Sequence, residues 1–166
     1  MTEEVILVDE QDHAIGTMEK MEAHEKGVLH RAFSVFIFNS KKKLLLQQRA
    51  LSKYHSPALW TNTCCSHPRP GEDTLAAANR RLKEEMGMEA DLSYMTSFIY
   101  KTKFENGLTE NEFDHVYTGG SEKEPILNRE EVNAYKWLSI EEIKSELKMH
   151  PEAYTYWFKI AVEKLF

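Results

Sequence analysis

Residues 72–87, EDTLAAANRRLKEEMG, form the clearest helical run of the chain, and strand-like runs lie on both sides of it. Asp73 or Thr74 can cap its start, Gly87 suits the position just past its end, and Leu75, Ala78, Leu82 and Met86 form an apolar stripe. Before it, EVILVD (4–9) and the aromatic-rich HRAFSVFIFNS (30–40) read as strands. KKKLLLQQR (41–49) reads as the hairpin partner of the second, with Asn39-Ser40 in the turn. EKMEAHEKG (19–27) is a short helical or loop stretch ended by Gly27, and Pro57, Pro68, Pro70 and Gly71 leave only short extended pieces between 56 and 71. After the helix, residues 93–119 read as two strands around Asn106-Gly107, a strong hairpin signal. AYKWLS (134–139) is another strand, SIEE (139–142) matches a capping box, and a last helix follows Pro151 with Tyr154, Trp157, Phe158, Ala161 and Leu165 at helical spacing. Strands interleaved with a few helices predict an α/β (α+β) fold, a mixed sheet between helices. The 166 residues fit one domain, 1–166, with no internal repeat or low-complexity linker.

The formal net charge is -6 and no basic run exceeds Lys41-Lys42-Lys43, which argues against a nucleic-acid or anionic-membrane surface but leaves room for a local basic pocket. No stretch approaches the roughly 20 apolar residues of a membrane span. The acidic start, MTEEVILVDE, reads as neither a secretory signal nor a transit peptide, and two adjacent cysteines suit reduced thiols in a cytosol.

Chemistry-bearing residues recur in alternating patterns. Cys65 and His67, in TNTCCSHP, are two residues apart and share a face if the chain is extended; Cys64 then points the other way, towards a core. A vicinal redox pair is the alternative reading of the two cysteines. Glu110 and Glu112, in TENEF, have the same spacing, and His24 and His30 add two imidazoles on what read as a helix end and the next strand. Histidines and carboxylates together suit Zn, Mn or Mg. On the 72–87 helix, Arg80, Arg81, Glu84 and Glu85 crowd the last two turns, where the plainest reading is an exposed salt-bridge face.

That helix also resembles a Nudix box, G-x5-E-x7-R-E-U-x-E-E-x-G-U, running from Ser66 through Glu72, Arg80, Arg81, Glu84 and Glu85 to Met88. Ser66 replaces the first glycine, and Arg81 stands where the box has a metal-binding Glu. With RALSK (49–53), WTNTCCSHP (60–68), TENE (109–112) and the His24/His30 pair, in that family's order from about Lys20 to Trp157, the chain resembles the type I isopentenyl-diphosphate isomerases. The resemblance implies a Nudix-like mixed sheet between helices and the interconversion of isopentenyl and dimethylallyl diphosphate. It implies that Cys65 and Glu112 transfer protons from opposite sides of the substrate, in an order left open, with Tyr100 hydrogen-bonded to the carboxylate. It implies that His24, His30, His67, Glu110 and Glu112 hold one divalent cation, Mn²⁺ or Zn²⁺, while Glu85 helps hold a Mg²⁺ that bridges the diphosphate. Lys20, Arg49, Lys53 and Arg81 then match diphosphate contacts, and Trp157 an aromatic facing the hydrocarbon. The expected partner is a small-molecule allylic or homoallylic diphosphate, with no nucleic acid and no membrane, in a cytoplasmic monomer or weak homodimer. Two competing readings remain: a Nudix hydrolase of nucleoside diphosphate derivatives, which would be better served by Glu at 81, and a metal or thiol sensor, which leaves Arg49, Lys53 and Arg81 without a role.

Overall fold

The structure is a computed structural model and describes residues 2–53 and 55–166. In chain order its elements are β1 (Glu4–Val8), β2 (Ala14–Glu19), α1 (Lys20–Lys26), β3 (His30–Phe38), β4 (Lys43–Arg49), β5 (Trp60–Thr61), β6 (Cys64–Ser66), α2 (Thr74–Met86), β7 (Ser93–Lys103), β8 (Thr109–Gly120), β9 (Val132–Ser139), α3 (Ile140–Met149), a short 3-10 turn at Pro151–Ala153 and α4 (Tyr156–Leu165). The strands form one mixed sheet.

β3 is the hub. One of its edges pairs in parallel with β8 along its whole length, His30 opposite Glu112 and Phe38 opposite Gly120. The other edge is shared: β1 meets it at His30, β6 from Phe33 to Val35, and β4 at Phe38. β4 then leaves β3 and pairs along its length with β9. The expected β3–β4 hairpin is therefore a hairpin only at its base, because β6 takes the middle of the edge that β4 would have used.

Alternation along β3 sends apolar side chains to two helix layers. Phe33, Val35 and Ile37 pack with Ala77, Ala78, Leu82 and Met86 of α2. Phe36, Leu44 and Leu46 pack on the other face with Ile143 of α3 and Phe158, Ala161 and Val162 of α4. Burying each such large side chain contributes roughly 1.5–3 kcal/mol. The result is the mixed sheet between helices that the sequence predicts. On the second face, ahead of Phe36, β3 carries His30, Ala32 and Ser34, so part of this layer is polar.

The caps of α2 lie where expected: the Asp73 side chain accepts from Ala76 N, and Gly87 takes the left-handed conformation at φ 61°. The Ser139/Glu142 capping box is formed. Three local readings change. Leu75 is 38% exposed: it shares the helix face of Leu82 and Met86 but lies in the first turn, at the end of the helix. Tyr154 precedes α4 in extended backbone, since Thr155 is the cap that opens the helix. β2 pairs only with β1 and is largely exposed, so no buried alternation betrayed it.

Candidate active site

α1, β3, β6 and β8 bring the expected ligands to one place. His30 lies directly opposite Glu112, and Cys65 opposite Ser34, so all four sit on the same face of the sheet, with His67 continuing the alternation. α1 packs over the start of β3, its end closed by Gly27 at φ 65°, and lays His24 against His30 with ring centroids 5.1 Å apart.

The imidazoles are oriented by their outer nitrogens. His24 Nδ1 lies 2.7 Å from the Lys20 carbonyl and His30 Nδ1 2.8 Å from the Val28 carbonyl, so each Nδ1 carries the proton and donates it. In the neutral rings this leaves the Nε2 lone pairs facing inward, as in histidines that ligate metals. His30 Nε2 is 3.3 Å and His67 Nε2 2.6 Å from Glu112 Oε2. A lone pair facing a carboxylate oxygen requires a cation or a proton between them. One donor atom each from His24, His30, His67 and Glu112 lie within 4.8 Å of one another, and the set His24, His55 and Glu110 meets the same limit. The residues fit a divalent cation. Glu85 stands apart, its carboxylate 2.9 Å from Arg81 Nη2 and 3.1 Å from Gln47 Nε2.

Burial sets the charges. Burial and the neighbouring Glu112 push the Glu110 carboxyl well above its usual range. Burial pushes Glu112 up as well, but the His67 and His30 imidazoles outweigh it and hold Glu112 well below the usual range. Tyr100 Oη is 2.8 Å from Glu112 and 3.1 Å from Glu110, and its one proton serves either carboxylate; burial and these two acids keep the phenol protonated. Burial lowers His67 to about 4. Burial and Arg49 lower His55 to about 3. The Cys65 thiol is raised by burial, against the opposing pull of Arg49, so it holds its proton.

A pocket beside this cluster is lined by Cys65, His67, Tyr100, Glu110 and Glu112, by Trp157 of α4, and by the four cations Lys20, Arg49, Lys53 and Arg81. The Arg49 guanidinium lies 5.2 Å from the centre of the Trp157 ring. Lys53 pairs with Glu131, which also lies 3.5 Å from Arg81. Every residue expected in the site thus lies at the cluster or lines the pocket. The salt-bridge reading of the helix holds for its other residues: Arg80 is 2.8 Å from Glu72 and 3.0 Å from Glu84, outside the pocket. Cys64 points into the α2 core.

Sequence reasoning missed Gln47, His55, Ser34 and Asp114. Ser34 Oγ donates to Asp114 Oδ2 at 2.8 Å, and burial and Glu112 push the Asp114 carboxyl up. The E-x-E alternation continues to Asp114, a signal that was present; His55 lies in a loop and had none.

The NUDIX domain family matches residues 28–158. A protein of Pectobacterium atrosepticum named isopentenyl-diphosphate Delta-isomerase is 53% identical over 98% of this chain and 90% of its own length. Isopentenyl-diphosphate Delta-isomerase 2 of Aromatoleum aromaticum is 48% identical over 99% of this chain and 87% of its own. Among solved structures, DR0079 of Deinococcus radiodurans superposes with TM-score 0.83 at 22% identity, covering 99% of both chains. The MutT protein of Methanosarcina mazei superposes with TM-score 0.68 at 19% identity over 82% of this chain and 91% of its own.

Proposed function

The chain belongs to the NUDIX domain family and, within it, to the isopentenyl-diphosphate Delta-isomerases, and from that premise we propose that it converts isopentenyl diphosphate into dimethylallyl diphosphate. The observation that carries the reading is one pocket lined by the Cys65 thiol, the Glu112 carboxylate and four basic side chains, beside a His/Glu cluster that fits a cation. Isomerisation adds a proton to the terminal alkene carbon, passes through a tertiary cation, and removes a proton from the neighbouring methylene. It needs an acid, a base on the other side, and stabilisation of positive charge.

We assign these two groups to Cys65 and Glu112. They stand on β6 and β8, which flank β3 on opposite edges, with the small Ala32 and Ser34 between them. With the proton on Cys65 and the charge on Glu112, the resting site has one group to give a proton and one to take it. Tyr100 orients Glu112. Trp157 faces the hydrocarbon and can stabilise the cation by up to ~2 kcal/mol when desolvated. Arg49, Arg81, Lys20 and Lys53 bind the diphosphate, the guanidiniums by paired hydrogen bonds. His24, His30, His67, Glu110 and Glu112 would hold a divalent ion, Mn²⁺ or Zn²⁺, and Glu85 would help to hold a Mg²⁺ that accompanies the diphosphate. Such ions supply charge neutralisation at the diphosphate and at the paired carboxylates.

Arg81 favours this reading over hydrolysis. A Nudix hydrolase gathers metals with carboxylates on this helix, and a guanidinium 2.9 Å from Glu85 takes the place of one of them. The protein is further proposed to act as one domain, in the cytoplasm, as a monomer or weak homodimer. Among the described residues no helix is long and apolar enough to cross a membrane. Incubation with isopentenyl diphosphate and Mg²⁺ in heavy water should give deuterated dimethylallyl diphosphate by NMR; release of phosphate without isomer would favour the hydrolase.

A further inference from the structure

Beyond the five-residue ligand set, we propose that His55 is an additional cation ligand, making with His24 and Glu110 a second position for a divalent ion beside the one formed by His24, His30, His67 and Glu112. The proposal rests on the reading of the His/Glu cluster as a cation centre. Three observations carry it. Donor atoms of His24, His55 and Glu110 all lie within 4.8 Å of one another. All three side chains are buried, at 0%, 7% and 5% exposure, so their convergence is fixed by packing rather than by chance at a surface. The His55 ring is held in place: it stacks on Phe104 at 5.0 Å and 10° and meets the Trp157 ring edge-on at 5.8 Å and 86°.

The two positions exclude each other. His24 Nδ1 is committed to the Lys20 carbonyl at 2.7 Å, so only its Nε2 lone pair can bind a metal, and one lone pair serves one ion. An ion at the second position keeps His24 and Glu110 and gives up His30, His67 and Glu112. Tyr100, within hydrogen-bonding distance of both carboxylates, can donate to Glu112 when the ion occupies the second position. Imidazole and carboxylate donors select borderline ions such as Zn²⁺, Mn²⁺ or Co²⁺ at either position.

The test uses the metal-free full chain titrated with Co²⁺ in competition with a chromophoric chelator, together with the visible absorption of the bound ion. Four proteins are compared: wild type, His55→Phe, His67→Ala and the double variant, each checked for folding by circular dichroism. His67→Ala should still bind one Co²⁺ per chain, and adding His55→Phe to it should weaken binding at least as much as losing an outer-shell partner of a ligand, roughly 10- to 100-fold. Should His67→Ala fail to fold, Glu112→Gln supplies the same background. Affinity and spectrum indifferent to His55 in both backgrounds, with wild type still binding an ion, would overturn the second position alone. A wild-type protein that binds no Co²⁺ would overturn the cation centre and this inference together.

Discussion

One residue step separates Cys64 from Cys65, and it places their thiols on opposite faces of β6. Cys64 lies opposite Val35, is fully buried in the α2 core and has its Sγ 3.5 Å from Glu85. Cys65 lies opposite Ser34 and lines the pocket. Cys65→Ala should therefore lower kcat by about 10²-fold or more, the scale of a lost general acid or base. Cys64→Ala should keep turnover and lose ~1 kcal/mol of stability. Similar rates for the two variants in a steady-state isomerase assay would refute the assignment. Arg81 gives a second comparison. Losing a charge-assisted hydrogen bond costs roughly 1.5–3 kcal/mol, so Arg81→Ala should lower kcat/KM by about 10- to 150-fold at ~1.4 kcal/mol per decade. Wild-type kinetics would remove Arg81 from the diphosphate site. Both residues were legible because period-two alternation and a box departure leave marks in the sequence. His55 was not, since a loop residue acquires its neighbours only through the packing of Phe104 and Trp157.

At the scale of elements, the local signals were the readable ones. The caps of α2, the Ser139 capping box and the Asn106-Gly107 turn each depend on residues within a few positions of one another, and each forms. The β3–β4 pairing forms only at its base because its extent depends on competition: three strands divide one edge of β3, and no local signal in β4 reveals that β6 will take its middle. The parallel β3–β8 register aligns residues about 80 positions apart, such as His30 and Glu112, and it builds the site, yet only the family resemblance hinted at it. α2 must sit accurately, because it presents Arg81 and Glu85 to the pocket. Its end is fixed by Gly87 at φ 61°, where an added Cβ would meet the Ile126 carbonyl oxygen at 2.6 Å. Gly107 has a similar φ, 86°, but open space around it. Gly107→Ala should cost ~1 kcal/mol, the left-handed backbone alone. Gly87→Ala adds a backbone collision and should cost about 3 kcal/mol or more. Denaturant midpoints would check the difference, and equal losses would mean that the Ile126 contact does not fix the helix end.

Across the whole molecule, a layer that would otherwise be core holds buried histidines and carboxylates, and a bound cation should decide how stable that arrangement is. An ion binding only the folded chain at 100 times its Kd adds ~2.7 kcal/mol, which for a chain of this size is roughly 5–11 °C in Tm. The pH dependence of that gain follows from Glu110 and His67. Glu110 is raised, so in metal-free protein it keeps a proton above pH 4.5, its ordinary value; the stability this proton gives is present at low pH and lost as pH rises towards the raised value. The ion-bound form must have expelled that proton, so it gains on the metal-free form as pH rises. His67 acts in the same direction. Its folded value is lowered from 6.5 to about 4, so it stays neutral and able to ligate down to that point and charges below it. The Tm gain from saturating Mn²⁺ should therefore be small near pH 4 and increase as pH rises above it. Thermal melts with and without the ion, after removal of metal by a chelator, measure it directly. A gain that stayed constant or shrank as pH rose would show that ion binding expels no proton, and would remove Glu110 from the ligand set.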